Sequence, residues 1–485
     1  MSNEHTSKAL VLAVPFCLTL AACSVDASSE REVDPGLAVL DQALDGADID
    51  DVVARVADLT VRVPKAFNVP YSGMASAEFP NGLPLSVGSG LRLKRGAGLW
   101  PTFYGLSDRG PNGDSPDYLD AAGATHPTKS FLTPSFTPQL VKMEVLPFLG
   151  PTVTQTVPFR VHHARVSGIP LSDHSPEVAL SESLIAYPAS ANGVDSEGID
   201  FDARGDAWIC DEYGPSLFRV SVRTGEIQER LLPGSGLPEV ISSRQASRGF
   251  EGVAVTPNGR VYGLIQSTLD IAGSTKSKAQ FIRIVEYDPK THATRMFAYP
   301  HDVAAYAKSG DAKLGDLVAL DNDRFLLIEQ GKDKDKKLRN IVYAISLEGA
   351  TDLTGLTLSG GANAGLDLEY GTAAEIAAQI VPVKKAVVVD LRNYGWTFEK
   401  AEGLSLVDSR TLVVSNDQDF GVISSMSGDP ASTDPTKYVV DSTGALTIGG
   451  VASAASYELH AQAVADQRST LFVVRLVQPA SAALP

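Results

Sequence analysis

Three Glu-Gly pairs in this sequence of 485 residues are each followed, fifteen positions after the glutamate, by another polar side chain. The paired positions are Glu197 and Glu212, Glu251 and Gln266, and Glu402 and Asp417. A shorter copy runs from Asp316 to Glu329, and a looser one begins at Ser89 and ends at Asp108. Carboxylates serve as general acids and bases and as oxygen ligands for hard cations. A recurring set of them predicts such chemistry if the fold brings the copies together.

Each copy has the pattern of a β-hairpin. A short apolar run follows the opening residue, a turn such as Pro257-Asn258-Gly259 interrupts it, and a second apolar run such as Val261–Ile265 leads to the closing polar residue. A single hairpin is marginal in water, so the repetition indicates a larger array. We therefore expect an all-β fold, a β-propeller of about six blades. A β-sandwich is the alternative, although it gives no reason for the same polar residue to recur at the same strand end.

Equivalent positions of propeller blades lie at one depth around the central axis, so the recurring carboxylates would form rings. Converging carboxylates repel one another unless they are protonated or bridged by a cation. Oxygen ligands without His or Cys partners favour Ca²⁺, with Mg²⁺ as the second choice. The candidate metal ligands are Asp108, Glu197, Asp211, Glu212, Glu251, Asp316, Glu329, Glu402 and Asp417, and Asp419 is a further candidate for the same rings.

Two other interpretations of these carboxylates stay open. They can be structural ties that accept backbone N–H bonds, or they can act directly in acid–base chemistry, with Glu251, Glu197 and Glu402 as the catalytic residues. Arg109 and Arg248 stand beside the carboxylates in sequence, and arginine is a natural clamp for phosphate or carboxylate groups. We therefore take both as candidate substrate-binding residues; the alternative is an internal ion pair that holds a loop.

Residues 1–22 are typical of an export signal of the lipoprotein type. The apolar run 9–22 ends in Leu20-Ala21-Ala22 before Cys23, which would carry the lipid after cleavage. Ordinary secretory cleavage is the alternative. Residues 23–60 are expected to form a tether and N-terminal segment, and residues 61–485 the propeller domain. The expected location is the bacterial cell envelope, with the lipid as the only membrane contact, or otherwise the periplasm or the medium.

The charge balance argues against a nucleic-acid partner. The chain has 41 basic and 58 acidic residues, a net charge of −17, whereas nucleic-acid affinity depends on Lys and Arg contacts to phosphates. Apolar residues make up 44% of the chain, enough to bury a core. Three cysteines are too few for a disulfide framework. A small-molecule ester or phosphoester is the expected partner.

Taken together, the motifs resemble the family called esterase-like activity of phytase, the phytase-like domain of exported bacterial proteins. The matching segments are Ser107–Pro111, Glu197–Ile199, Asp211–Pro215, Arg248–Gly252, Phe325–Glu329, Glu402–Leu404 and Asn416–Gly421. The resemblance implies a β-propeller and the hydrolysis of ester or phosphoester bonds. The sequence departs from the family pattern at Gln330, where an arginine is expected, and at Gln418, where asparagine is common.

Motifs of several other hydrolase and nucleotide-binding classes do not occur. The sequence has no G-x-S-x-G, no H-E-x-x-H, no P-loop and no EF-hand loop. With these classes disfavoured, the repeated carboxylates and the family resemblance favour a divalent-cation-dependent hydrolase of phosphoesters or other esters, in which ring carboxylates hold Ca²⁺. Two alternatives remain: a non-catalytic lipoprotein propeller that binds a glycan, peptide or protein, and a lactonase-like or sugar-oxidising calcium propeller.

Overall fold

The structure is a computed structural model. It describes residues 38–44, 48–96, 99–172, 175–428 and 431–484. All of these residues belong to the unit Gly36–Pro485. The expected export signal and Cys23 lie outside them. The described segments contain two short α-helices, Ala38–Gln42 and Ala373–Gln379, and otherwise strands and single 3₁₀ turns, so the predicted all-β class is confirmed.

Five four-stranded antiparallel sheets form the body of the described chain, and we number them blades 1 to 5 in chain order. In each blade the strands are named from the innermost outward. Blade 1 contains Leu91–Leu93, Thr102–Leu106, Gln139–Leu146 and Gly150–Pro158. Blade 2 contains Ser196–Phe201, Ala207–Asp211, Ser216–Val220 and Ile227–Pro233, to which Gly236–Leu237 adds a short fifth strand. Blade 3 contains Phe250–Val255, Val261–Ile265, Ile282–Tyr287 and Thr294–Tyr299. Blade 4 contains Lys313–Ala319, Arg324–Lys332, Leu338–Ser346 and Lys384–Asp390. Blade 5 contains Gly403–Leu406, Thr411–Ser415, Thr470–Leu476 and Val53–Thr60.

The innermost strands contact one another in blade order, and that of blade 5 contacts that of blade 1, which closes the ring. The predicted β-propeller is therefore confirmed, with five blades in the described residues. The count differs from the expected six or so because insertions, and not a further blade, fill the long interval between the hairpins of blades 1 and 2. The outermost strand of blade 5, Val53–Thr60, pairs antiparallel with Thr470–Leu476. The propeller thus begins N-terminal of the boundary expected at residue 61, because its last sheet needs this strand.

The glycine of each Glu-Gly pair allows neighbouring inner strands to approach closely. A Cβ atom on Gly198 would lie 2.7 Å from the backbone nitrogen of Val253 in blade 3. A Cβ atom on Gly252 would lie 2.7 Å from the backbone nitrogen of Leu317 in blade 4. The pair therefore combines a glutamate near the axis with a residue that has no side chain between the blades.

Arg92, on the innermost strand of blade 1, ties the inner strands together around the axis. Its guanidinium donates hydrogen bonds of 2.7–3.1 Å to one carbonyl oxygen of each other blade, those of Ile199, Val253, Leu317 and Leu404. Two carboxylates balance its charge, Asp200 at 3.3 Å and Asp316 at 3.6 Å. The axis is therefore filled at this depth by one buried side chain.

Long insertions leave the ring where the second strands of blades 1 and 5 end. The blade 1 insertion contains Asn112–Asp114, Asp117–Leu119, Thr125–His126 and Thr128–Phe131. The blade 5 insertion contains Val422–Ser427, Tyr438–Asp441, Leu446–Ile448, Val451–Ser453 and Ser456–Ala461. The connection from blade 1 to blade 2 contains Arg160–Val161, Ala164–Arg165 and Val178–Leu180. The first two insertions join through a parallel pairing of Asp117–Leu119 with Tyr438–Asp441.

Apolar side chains fill the spaces between successive blades. Phe325 of blade 4 packs against Tyr262 of blade 3 with 4.7 Å between ring centroids. Both side chains are buried, as are Phe250 and Leu264 on the strands of blade 3. Removal of this apolar surface from water is the main force that holds the blades side by side and fixes the polar residues at the axis.

Candidate metal-binding site

Strand pairing decides which polar side chains share one depth at the axis. In each blade the innermost and second strands pair at one common level, through Leu91 and Gly105, Ile199 and Ile209, Val253 and Gly263, Leu317 and Leu327, and Leu404 and Val414. Two residues before this level, on or just before the innermost strands, lie Ser89, Glu197, Glu251, Gly315 and Glu402, which we call the first ring. Three residues after it, at or just beyond the ends of the second strands, lie Asp108, Glu212, Gln266, Gln330 and Asp417, which we call the second ring.

The register differs from the sequence prediction in blade 4. The expected pair was Asp316 and Glu329, whereas the ring positions are Gly315 and Gln330, so the fifteen-residue spacing also holds in this blade. Asp316 occupies the position that is glycine in the other blades. Its carboxylate accepts hydrogen bonds from the backbone N–H groups of Leu404 and Leu317, and it faces Arg92.

Two further predicted ligands also lie outside the rings. Glu329 accepts a hydrogen bond from the Tyr299 hydroxyl at 2.7 Å and pairs with Lys385 at 2.8 Å. Asp211 pairs with Arg230 and accepts a hydrogen bond from Ser216. Each stands one residue before the second ring, and neighbouring residues of a strand point to opposite faces. The structure therefore places Asp211, Asp316 and Glu329 in structural ties.

Five buried carboxylates meet at the axis, and we call them the carboxylate cluster: Asp195, Glu197, Glu212, Glu251 and Glu402. One oxygen each of Glu197, Glu251 and Glu402 lies within 4.8 Å of the other two. The same holds for Asp195, Glu197 and Glu212, so Glu197 belongs to both groups. The three predicted catalytic glutamates are thus brought together by blades 2, 3 and 5.

Asp195 is a member of the cluster that the sequence analysis missed. It stands two residues before Glu197, and alternation along an extended segment places residues i and i+2 on one face. The sequence Asp195-Ser196-Glu197 therefore contained a signal for it. Asp195 lies outside the repeated Glu-Gly unit, which is why the search for repeats did not find it.

Burial and mutual repulsion raise the pKa of these carboxyl groups. The pKa values of Glu197 and Glu251 lie well above the usual range because of burial and the neighbouring carboxylates. Burial also raises the pKa of Glu402 to about 8, although the ammonium group of Lys400 opposes the shift. A cluster with such pKa values holds protons near neutral pH or binds a cation in their place.

Several buried oxygens at the axis have no hydrogen-bond donor among the described residues. They are Ser89 Oγ, Glu251 Oε2 and Gln266 Oε1. Ser89 and Glu251 are first-ring residues, and Gln266, from the second ring, partly offsets the rise in the pKa of the Glu251 carboxyl group. Together with the carboxylates they form an all-oxygen donor set. That chemistry fits a hard divalent cation, so the cluster could hold a metal ion.

Arg109 neutralises one side of the cluster. Its Nη2 atom lies 2.6 Å from Asp195 Oδ2 and 2.6 Å from Glu212 Oε2. The guanidinium also lies over the ring of Tyr213, 5.2 Å from its centroid. The structure therefore gives this predicted substrate-binding residue an internal role, the alternative that the sequence analysis left open.

Lys400 holds a second acidic group, which the sequence analysis did not connect with a lysine. Its Nζ atom lies 2.9 Å from Asp417 and 2.8 Å from Asp419, and 3.9 Å from Glu402. Burial raises the pKa of Asp417, but the Lys400 ammonium group outweighs it and holds that pKa below its usual range. Asp108 of the second ring interacts with Asp417, and burial raises the pKa of Asp108 to about 7. The predicted ligand Asp417 thus lies beside a lysine, Asp108 interacts with Asp417, and both lie outside the five-membered cluster.

Arg248, the other predicted substrate-binding residue, stands three residues before Glu251. It donates hydrogen bonds only to neutral groups, the Gly310 carbonyl and Ser267 Oγ, in the described chain. Its charge interacts with Glu212, Asp311 and Glu251, none of which reaches ion-pair distance. Unlike Arg109, Arg248 therefore has a positive charge that no carboxylate of the described segments balances at ion-pair distance.

One family profile covers most of the chain. The profile described as "Phytase-like: Esterase-like activity of phytase" matches residues 85–420, which include both rings and the carboxylate cluster. The chain belongs to this phytase-like family. No curated protein sequence matches this phytase-like chain. None of its described helices is long and apolar enough to cross a membrane.

Solved structures similar to this phytase-like propeller have low sequence identity. An α-L-arabinofuranosidase from Podospora anserina has 8% identity and a TM-score of 0.30, over 87% of this chain and 98% of that one. The aldose sugar dehydrogenase from Streptomyces coelicolor has 10% identity and a TM-score of 0.28, over the same shares. A luciferin-regenerating enzyme has 8% identity and a TM-score of 0.30, over 82% of this chain and 94% of that one. These scores are too low to bear on function, and the sheet order itself establishes the propeller.

Proposed function

We propose that this phytase-like propeller is a divalent-cation-dependent hydrolase that acts on phosphoesters or other esters at the carboxylate cluster. The observation that supports the proposal is the set of buried oxygens without donors, Ser89 Oγ, Glu251 Oε2 and Gln266 Oε1. A buried acceptor without a partner costs about 1–3 kcal/mol. A cation bound among these oxygens would remove that cost and the repulsion between the carboxylates.

The donor set favours Ca²⁺ over Mg²⁺. Ca²⁺ accepts about six to eight oxygen ligands in irregular geometry, including hydroxyl and amide oxygens. Mg²⁺ prefers a regular octahedron and retains several waters. Glu197, Glu251 and Glu402 offer carboxylate oxygens, and Ser89 and Gln266 offer neutral ones. Mixed neutral and charged ligands from four blades fit the larger, more adaptable ion.

Glu197, Glu251 and Glu402 are the catalytic residues in this proposal. A bound divalent cation supplies Lewis-acid polarisation of an ester or phosphoryl oxygen. The glutamates orient the attacking water, and one of them accepts its proton as the water oxygen bonds to phosphorus or to the acyl carbon. That proton then passes to the leaving alkoxide when its bond breaks. Because Arg92 fills the axis on one side of the cluster, the substrate approaches from the opposite side in this proposal.

Turnover of p-nitrophenyl phosphate and p-nitrophenyl acetate by the Ca²⁺-loaded protein tests the proposal. We expect Glu251→Gln to lower kcat/KM by at least about a hundredfold, because a general base or cation ligand contributes on that scale. Glu348→Gln is the matched control, since that side chain is 82% exposed and lies far along the chain in a surface turn. Equal turnover by Glu251→Gln and wild type, or full turnover in EDTA, would contradict the proposal.

The second candidate is a propeller without catalytic activity that binds a glycan, peptide or protein partner. It is favoured by the ion pairs that already neutralise part of the acidic residues, Arg109 with Asp195 and Lys400 with Asp417. Absence of bound metal and of turnover would favour this non-catalytic propeller.

Turnover of lactones with no turnover of phosphoesters would instead favour a third alternative, a lactonase-like calcium propeller.

We also propose that the chain is exported and anchored to the bacterial cell envelope through a lipid on Cys23. The support is the apolar run 9–22 that ends directly before this cysteine. Incorporation of labelled palmitate into the wild type, and its loss in Cys23→Ser, is the expected result. Absence of label from the wild type would leave secretion without a lipid, and equal labelling of both proteins would mean that Cys23 is not the lipid site.

A further inference from the structure

The residue two positions before the first ring carries a charge in three blades. It is Asp195 in blade 2, Lys313 in blade 4 and Lys400 in blade 5. Asp195 and Lys400 both reach the polar groups at the axis, where they pair with Arg109 and Asp417. Lys313 holds the same register position beside Gly315, the one first-ring residue that has no side chain.

Lys313 differs from Lys400 in that it has no ion pair or hydrogen bond through its side chain in the described part of the chain. The charges that act on it are those of Arg248 and Lys400, which repel it, and of Glu251 and Glu402, which attract it. Burial lowers the pKa of Lys313, and the two cations lower it further. Lys313 therefore lacks a counter-ion of the kind that Asp417 provides for Lys400.

Arg248 is held beside Lys313 by the connection that leads into blade 4. It donates to the Gly310 carbonyl, and Ser267 Oγ donates to the Ala312 carbonyl at 2.8 Å. The backbone N–H of Leu314 donates to the Gln266 carbonyl at 2.7 Å. These bonds fix residues 310–314 and the Arg248 guanidinium against blade 3, and the charges of both Lys313 and Arg248 interact with Glu251.

We propose that Lys313 and Arg248 form an anion subsite beside the carboxylate cluster, and that it binds the dianionic phosphoryl group of the substrate. Two neighbouring cations without an ionic partner match a group with two negative charges. Arg109 is not part of this subsite, because Asp195 and Glu212 already balance its charge at 2.6 Å. The inference rests on the proposed function for the identity of the substrate, and it narrows that substrate from esters in general to phosphomonoesters.

Binding of inorganic phosphate to the Ca²⁺-loaded full-length protein, measured by titration calorimetry, tests the subsite without any turnover. We expect Lys313→Met to raise the Kd for phosphate by about tenfold or more, since a charge-assisted hydrogen bond contributes at least about 1.4 kcal/mol. Lys313→Arg should keep most of the affinity. Lys290→Met is the matched control, because it removes the same charge from an exposed turn of blade 3.

The subsite is overturned if the wild type binds no phosphate, or if Lys313→Met binds it as tightly as Lys290→Met. Melting temperatures of the variants show whether either substitution unfolds the protein, and Arg248→Lys gives an independent second variant that keeps the charge but not the fork geometry. Phosphate binding that depends on Lys313 without any hydrolysis would support the subsite and reject the hydrolase. Hydrolysis that depends on Glu251, together with phosphate binding that does not depend on Lys313, would support the hydrolase and reject the subsite.

Discussion

At the scale of single residues, the polar groups of the axis differ in whether a protein cation meets them. Arg109 lies at ion-pair distance from Asp195 and Glu212, and Lys400 from Asp417. Glu197 and Glu251 meet no lysine or arginine at that distance within the described residues. Unbalanced negative charge is therefore concentrated where the first ring is richest in glutamate, and this is the location a cation would select.

His301 gives a prediction at the residue scale, away from the cluster. The ring is buried with both nitrogens unpaired, and burial lowers its pKa to about 4, with a smaller contribution from Lys385. An unfolded histidine titrates near 6.5. The unfolded chain therefore binds the extra proton first, and the stability that the neutral ring provides at pH 7 is lost as the pH falls from about 6.5 to about 4.

We expect wild type to lose up to about 3 kcal/mol of unfolding free energy relative to His301→Phe across this pH range. Urea titrations of both proteins at several pH values measure the difference directly. Because all other titrating groups are shared, their contributions cancel in the comparison. A difference that does not change with pH would show that His301 does not titrate in this way.

At the scale of the elements, the Glu-Gly unit couples packing to chemistry. The glycine permits close contact of two inner strands, as Gly252 does against Leu317 of the next blade. The glutamate before it is then held at a fixed depth beside the axis. Blade 4 departs from this pattern, since Gly315 stands at the ring position and Asp316 follows it. Blade 4 therefore has no carboxylate in the first ring, and Lys313 stands two residues before its first-ring position.

Gly252→Ala should destabilise the protein by about 1–3 kcal/mol, the usual cost of overpacking. The added methyl group would lie 2.7 Å from the nitrogen of Leu317 and 2.9 Å from the carbonyl carbon of Asp316, so one inner strand has to move. Gly360→Ala is the control, because a Cβ atom there meets nothing within 4 Å. Chemical denaturation of the two variants measures the effect, and equal stability of both would refute the close-packing role.

At the scale of the whole molecule, the ring is closed by segments far apart in sequence. Val53–Thr60 completes the sheet that ends with Thr470–Leu476, so both ends of the propeller domain share blade 5. Arg92 joins the inner strands of all blades from one side chain. The carboxylate cluster likewise combines residues of blades 2, 3 and 5. The stability of the carboxylate cluster therefore depends on the closed ring of blades.

Removal of divalent cations should accordingly lower the melting temperature of the whole domain. A ligand that binds only the folded state stabilises it by about 2.7 kcal/mol when its concentration is a hundred times its Kd. We expect EDTA to lower Tm and Ca²⁺ to restore it more effectively than Mg²⁺. Glu251→Gln should show a smaller response to both treatments. A Tm unaffected by EDTA, together with no metal in the purified protein, would mean that the carboxylates are structural ties.

The repeats allowed the fold and four of the five carboxylates of the cluster, all but Asp195, to be predicted. The fifteen-residue spacing correctly marked Glu197, Glu251 and Glu402, which the structure brings within a few ångströms of one another. It failed at Asp316 and Glu329, because a one-residue change of register sends a side chain to the other face of a strand. The spacing of the repeats also could not fix the number of blades, since a long interval between repeats can hold either a blade or an insertion.

The sequence by itself determined the strand pairs, the propeller and the acidic character of its axis, because hairpin patterns and their repetition are local properties of the chain. Only the tertiary structure decided which cation belongs to which carboxylate. Lys400 with Asp417, Arg109 with Asp195, and the unpaired Lys313 depend on the register between strands and on the distance between blades. These are set by packing around a common axis, which brings together residues from four blades that no local pattern connects.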